Sequence, residues 1–367
     1  LPGLTQFLSR LEDYPRLLEA VDQGKQTIAL SGLSAVHRAY LAAALHQSTG
    51  RPLTLVCPDD GEARRLAGDL SALTGAEVPV LPARDFLFHP GAASRQWEHQ
   101  RLEILARLHR GDCPVLVATV EGLLQRTMPP AVFAASCRQL HVGQVCQPEG
   151  LTDFLVRAGY TRCDQVEGTG QFALRGGILD FFSPAHPKPV RVEFFGDEID
   201  AMGLFDPDTQ RRIENLGAAE ILPAAEVLPQ FTPGGYGGLL EGLDRLISQA
   251  KRRKGNETLV QTLEEDRERL AASTAFPAMD RYIALIYPVM ATAADYFPED
   301  AVVVLSESPR VAERGKSYLW QLGEDAKALM ERGELAGELA DFARTFEELT
   351  EVLADWPVCY LDAFTSS

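Results

Sequence analysis

Hydrophobic positions in the first ~130 residues fall into short unbroken runs separated by longer amphipathic stretches. Thr27–Leu30, Leu53–Cys57, Val78–Leu81 and Val115–Thr119 form the runs, and helix-length segments follow at Ala35–Gln47, from Asp59 onward, at Gln96–His109 and at Val120–Arg126. Runs without alternation suit strands buried on both faces. Their alternation with helices predicts a parallel sheet covered by helices.

The pattern changes between 131 and 222. Gln171–Arg175 alternates at period two, Gly176-Gly177 interrupts, Ile178–Phe182 resumes, and Val190–Phe194 alternates again before a turn at Asp206-Pro207-Asp208. This predicts an antiparallel meander in a small α+β domain. The Pro- and Gly-rich stretch from Pro223 to Gly238 reads as a linker or exposed connection. Beyond Leu239 the chain is helical and charged, until one more buried strand at Ala301–Leu305 and a last one at Val358–Leu361. A late strand of the early type places the antiparallel domain as an insert. The expected organisation is residues 1–130 and 223–367 as two parts of one α/β domain, split by 131–222.

Strand parity also sorts the side chains of the insert. Val190, Val192 and Phe194 point one way, and Arg191, Glu193 and Phe195 the other. Arg175 ends a strand of the same sheet, and Arg162 precedes that strand by a short connection. Arginines beside an aromatic are common at protein interfaces.

Charge narrows the choice of partners. The 367 residues carry 35 Lys and Arg against 52 Asp and Glu, a net −17, so the chain repels phosphate backbones on average. Within 131–222 there are eight Arg or Lys against thirteen Asp or Glu, which makes the arginine cluster local and favours a protein partner. The basic run Lys251–Lys254 is followed by acidic residues and reads as a solvated helix end. The six cysteines have no Cys-x-x-Cys spacing, so reduced and mostly buried thiols are expected, with no metal site. No apolar stretch is of membrane-spanning length and no signal pattern opens the sequence, which sets a cytoplasmic location as the expectation.

The turn after the first strand lies where an α/β nucleotide hydrolase carries its phosphate loop, G-x-x-x-x-G-K-[ST]. Gly32 is present, but the last three places hold His37, Arg38 and Ala39. At the end of the late strand, where such an enzyme needs an acidic pair for Mg²⁺ and water, stand Ser306 and Glu307. The expectation is a degenerate RecA-like, P-loop-type domain that does not hydrolyse nucleotide, with weak anion binding through the helix N-terminus and Arg38 as the alternative. Gly315-Lys316-Ser317 mimics the tail of the motif, but Arg310 occupies the place of its first glycine and the flanks are helical.

Gly143-Gln144, Leu151–Tyr160, Gln171–Pro184 and Val190–Ile199, together with Asp295–Asp300, resemble the UvrA-binding module shared by the excision-repair helicase UvrB and the transcription-repair coupling factors. The degenerate loop favours the coupling factors, as does the stretch Phe86–Arg95, too short and tyrosine-free for the DNA-threading hairpin of UvrB. The resemblance implies UvrA contacts at Arg162, Arg175, Arg191 and Glu193, with Phe182 as an apolar anchor. It further implies a non-catalytic, cofactor-free piece of a longer translocase that joins stalled RNA polymerase to excision repair. The partners implied are UvrA and other domains of the full-length protein, with RNA polymerase and DNA reached through regions outside this chain. A UvrB-related ATP-dependent DNA enzyme is the alternative.

Overall fold

The computed structural model describes residues 8, 12–24, 27–86, 95–272, 276 and 278–364. Their strands, in chain order, are β1 (Ile28–Leu30), β2 (Leu53–Cys57), β3 (Val80–Leu81), β4 (Val115–Thr119), β5 (Arg138–His141), β6 (Thr161–Arg162) and β7 (Gln171–Arg175). There follow β8 (Ile178–Phe181), β9 (Val190–Phe195), β10 (Glu198–Phe205), β11 (Arg212–Leu216), β12 (Ala218–Ile221), β13 (Val302–Ser306) and β14 (Val358–Leu361).

The chain forms two compact units. One comprises residues 1–85, 107–126 and 290–367, the other 86–106 and 127–289. In the first unit a six-stranded parallel sheet has the order β1-β14-β13-β2-β4-β3. Every residue of β2, β4 and β13 is buried, which is the reason these strands lack alternation. The expected parallel α/β sheet is therefore present, with the two late strands β13 and β14 lying between β1 and β2.

The second unit contains a six-stranded sheet in the order β11-β10-β9-β8-β7-β6, antiparallel except for β6 against β7, and a two-stranded sheet of β5 and β12. Phe172, Leu179, Phe181, Val190, Val192 and Met202 make the core on one face of the larger sheet. The predicted meander is thus an α+β unit with one apolar face.

The unit boundaries depart from the expected 131 and 222. Residues 223–289 cluster with the antiparallel sheet, as does the first part of helix Gln96–Arg110. The reason is a buried polar knot. Glu226, wholly inaccessible, accepts from Arg101 Nε at 2.8 Å and from Thr127 Oγ1 at 2.6 Å, while its own N–H donates to Glu98 at 2.7 Å. The stretch read as a linker or exposed connection is therefore buried where it begins: Pro223, Ala224, Glu226, Val227, Leu228 and Pro229 are all buried. Helices Gly235–Lys251 and Glu257–Ala271 then pack on each other, and Lys251 pairs with Glu264 at 2.7 Å in the exposed basic run. All six cysteines are free, but only Cys57, Cys113 and Cys359 are buried and the other three are half-buried.

Gly315 lies within helix Ser308–Glu331, where its phosphate-loop look has a packing cause. A Cβ there would sit 2.9 Å from the Phe346 ring and 3.3 Å from Val120. Gly315→Ala should therefore lose about 1–3 kcal/mol to overpacking despite alanine's higher helix propensity. Urea unfolding measures this, and a stabilised variant would contradict it.

A pH effect follows from His99 in the second unit. Burial pushes its pKa down to about 4, against a weaker opposing hydrogen bond to the Ala224 carbonyl. Because the unfolded chain takes up the proton first, the neutral ring's contribution is complete above about pH 6.5 and is lost as the pH falls toward 4. Between pH 7 and 5 the protein should lose about 2 kcal/mol more than His99→Gln does. Parallel denaturant curves for the two proteins would refute this.

Candidate functional site

Strand alternation gives the antiparallel sheet a second face, opposite its core. Ala173, Arg175, Asp180, Arg191, Glu193 and Phe195 lie there, as parity predicts for the residues of β9. Asp180 is the buried centre of this face, 1% exposed. Its two oxygens accept from Arg191 Nε and Nη2, both at 2.8 Å, and one of them also accepts from Arg175 Nη2 at 3.0 Å. Bidentate pairing holds the Arg191 guanidinium above its ordinary pKa, chiefly through the Asp180 hydrogen bonds. The same guanidinium donates to Gln210 Oε1 at 2.8 Å and stacks 4.4 Å from the Phe205 ring centroid. Gln210 stands in left-handed backbone (φ 60°) to reach it.

The sequence-derived candidates divide on this geometry. Arg175, Arg191 and Glu193 come together on one face. Glu193 does not point freely into solvent; it pairs with Arg212 of β11, which in turn donates to Asn215 at 2.9 Å. Arg212 lies across Gly203 of β10, where a Cβ would meet Arg212 Cδ at 3.2 Å and would clash with the Glu214 carbonyl. Phe182 is half-buried and packs on a small core of Val166, Ala173 and Phe205, beneath Arg191. Arg162 is set apart. It is exposed on β6, at the far edge of the sheet, and its register partner Phe172 belongs to the main core of the opposite face.

Two residues of this face, Asp180 and Arg212, are absent from the sequence-derived candidates, and a third, Phe195, is placed there by parity but is not among the candidate contacts. Asp180 was visible as a lone acid between apolar neighbours, but its role depends on the register of three strands. Arg212 required the β10–β11 pairing. Phe195, 83% exposed beside the β9–β10 turn, shares the parity of Arg191 and Glu193 and is the large aromatic that this face presents to solvent.

In the parallel-sheet unit, the turn Ser31–Ser34 leads into helix Ala35–Thr49. Gly32 is in left-handed backbone (φ 81°) and exposed, His37 is exposed, and Ala39 is wholly buried. Arg38 is buried and directed at Ser306 and Glu307. Among the described residues no cluster of His, Cys, Asp and Glu is arranged to hold a metal ion, and no helix is long and apolar enough to cross a membrane. The sequence Phe86–Arg95 lies outside the described residues from 87 to 94.

The antiparallel module thus has one core face and one arginine-bearing face. Residues 139–227 match the family model described as the UvrB interaction domain. The chain is 28% identical over 343 residues to the transcription-repair-coupling factor of Bacillus subtilis (strain 168), covering 92% of this chain and 29% of that protein. The Myxococcus xanthus transcription-repair-coupling factor is 38% identical over 215 residues, 55% of this chain and 18% of its own length. That of Staphylococcus haemolyticus is 27% identical over 350 residues, 94% of this chain and 29% of its own length. The resemblance to the N-terminal, UvrB-like region of transcription-repair-coupling factors therefore holds along nearly the whole chain. The chain spans less than a third of the length of these relatives.

Asp180→Ala should cost the second unit about 3 kcal/mol or more, because Arg191 is left largely buried without its carboxylate. Hydrogen exchange of β8 and β9 should accelerate to match. Unchanged protection of these strands would refute the central role of Asp180.

Proposed function

We propose that this chain is a non-catalytic interaction module that recruits UvrA, so linking a stalled RNA polymerase to nucleotide excision repair. The observation that carries the reading is the second sheet face within the matched domain. Arg175 and Phe195 are exposed there, on a backbone fixed by the buried Asp180–Arg191 pair. An exposed aromatic beside arginines is the composition of a protein-binding hot spot.

In this reading the parallel-sheet unit needs no cofactor, and the protein works in the cytoplasm. RNA polymerase and DNA are engaged by other regions of the full-length protein, whose domains are also intramolecular partners of this one. Arg191 and Glu193 serve as supports for the face, through Asp180 and Arg212. Phe182 supports it from beneath. Arg162, on the other side of the sheet, contributes least to the UvrA contact.

Titration calorimetry with purified UvrA tests the proposal. Arg175→Glu and Phe195→Ala are both at exposed positions, so each should fold normally and weaken binding by more than tenfold, about 1.4 kcal/mol. Arg162→Glu should change the affinity less than threefold. Undiminished binding by the first two variants would sink the assignment, and micromolar ATP–Mg²⁺ binding with turnover would favour a UvrB-related enzyme instead.

A further inference from the structure

The loop that resembles a phosphate cradle is lined by the wrong charge for phosphate. Arg38 stands at the lysine position of the motif, but its side chain runs inward, 4% exposed. Its Nε donates to Ser306 Oγ at 2.9 Å. Nη1 donates to the Leu33 carbonyl at 2.8 Å and pairs with Glu307 Oε1 at 2.6 Å, and Nη2 pairs with Glu62 Oε1 at 3.3 Å. A hydroxyl, a carbonyl and two carboxylates thus converge on one planar cation.

The surroundings hold these oxygens in place independently of Arg38. Glu62 Oε2 also accepts from Arg310 Nη1 at 3.0 Å. Glu307 is kept in left-handed backbone (φ 60°, ψ 61°) while its N–H donates to the Leu361 carbonyl at 3.0 Å. The next residue, Ser308, is tied to Asp362 through its N–H at 2.6 Å and its hydroxyl at 2.8 Å. A non-glycine residue in this conformation persists where surrounding bonds over-determine it. An anion at the same point would meet Glu62 and Glu307 and would have to displace a guanidinium that is bonded on three sides.

We propose that this is a guanidinium-binding site occupied in cis by Arg38. The cation joins the first strand–helix turn, helix Asp60–Thr74 and the end of β13; the first and last of these are where an α/β nucleotide hydrolase carries its phosphate loop and its metal-holding acids. The site has inverted its polarity and carries its own ligand.

Chemical rescue tests this. Arg38→Ala should lower the thermal midpoint by several degrees, and millimolar methylguanidinium should restore at least half of the loss in a saturable manner. Methylammonium and urea at the same concentrations should not, and wild-type protein should not respond to methylguanidinium. Rescue by methylammonium to the same extent, or no rescue by methylguanidinium, would overturn the proposal. Should Arg38→Ala not fold, the wild-type protein supplies the second test. Its Arg38 Nε–H resonance should be protected from exchange and lose at least tenfold of that protection in Ser306→Ala. A freely exchanging Arg38 Nε–H, or a saturable shift of it on adding inorganic phosphate or ATP–Mg²⁺ to wild type, would overturn the assignment.

Discussion

A carboxylate removed from water remains ionised only where hydrogen-bonding cations replace its hydration, and the cost of leaving it alone is several kcal/mol. Each unit of this protein is built around that constraint. In the antiparallel unit Asp180 lies between β7 and β9 and fixes two arginines at once, while Glu226 binds Arg101 and Thr127 and so draws the chain beyond β12 into the same unit. In the parallel unit Glu62 holds Arg38 and Arg310 between the sheet and two helices. Such pairs add little net stability over apolar packing, but they do set register, since a strand shifted by one residue would strand a charge in the core.

The apolar cores were legible in advance because burial acts directly on residue type. β2, β4 and β13 are hydrophobic without alternation because both faces are covered, and β9 alternates because one face is not. The charged centres were not legible, because each joins residues far apart in sequence. Nothing local to Glu226 announces Arg101, and the Pro and Gly content around it looked like a linker although the backbone there is buried. The same limit explains Arg162 and Arg175. Both precede or end a short strand, but they fall on opposite faces, and only the β6–β7 and β7–β8 registers decide this.

The loop at Gly32 shows how far a missing motif can be read. From His37, Arg38 and Ala39 the departure from the phosphate-loop motif is evident, since the lysine and the metal hydroxyl are replaced. Anion binding through Arg38 stayed open as an alternative because the direction of a side chain is not a sequence property. Buried against Glu62 and Glu307, the guanidinium faces the interior of its own unit.

The face proposed to meet UvrA is built on a shared carboxylate, and this bears on how it could meet a partner. Asp180 is satisfied bidentately by Arg191, whose side chain is only 18% exposed, whereas Arg175, 51% exposed, contributes one additional hydrogen bond. When a partner's carboxylate takes the outer N–H groups of Arg175, Asp180 keeps both bonds from Arg191, so no buried charge is stranded. The fold therefore does not oppose the exchange, and the side-chain ordering that binding requires is already largely complete at Arg191. Division of labour between a doubly bonded, largely buried arginine and a singly bonded, exposed one lets an acidic chain present a small cationic surface without destabilising the sheet that carries it.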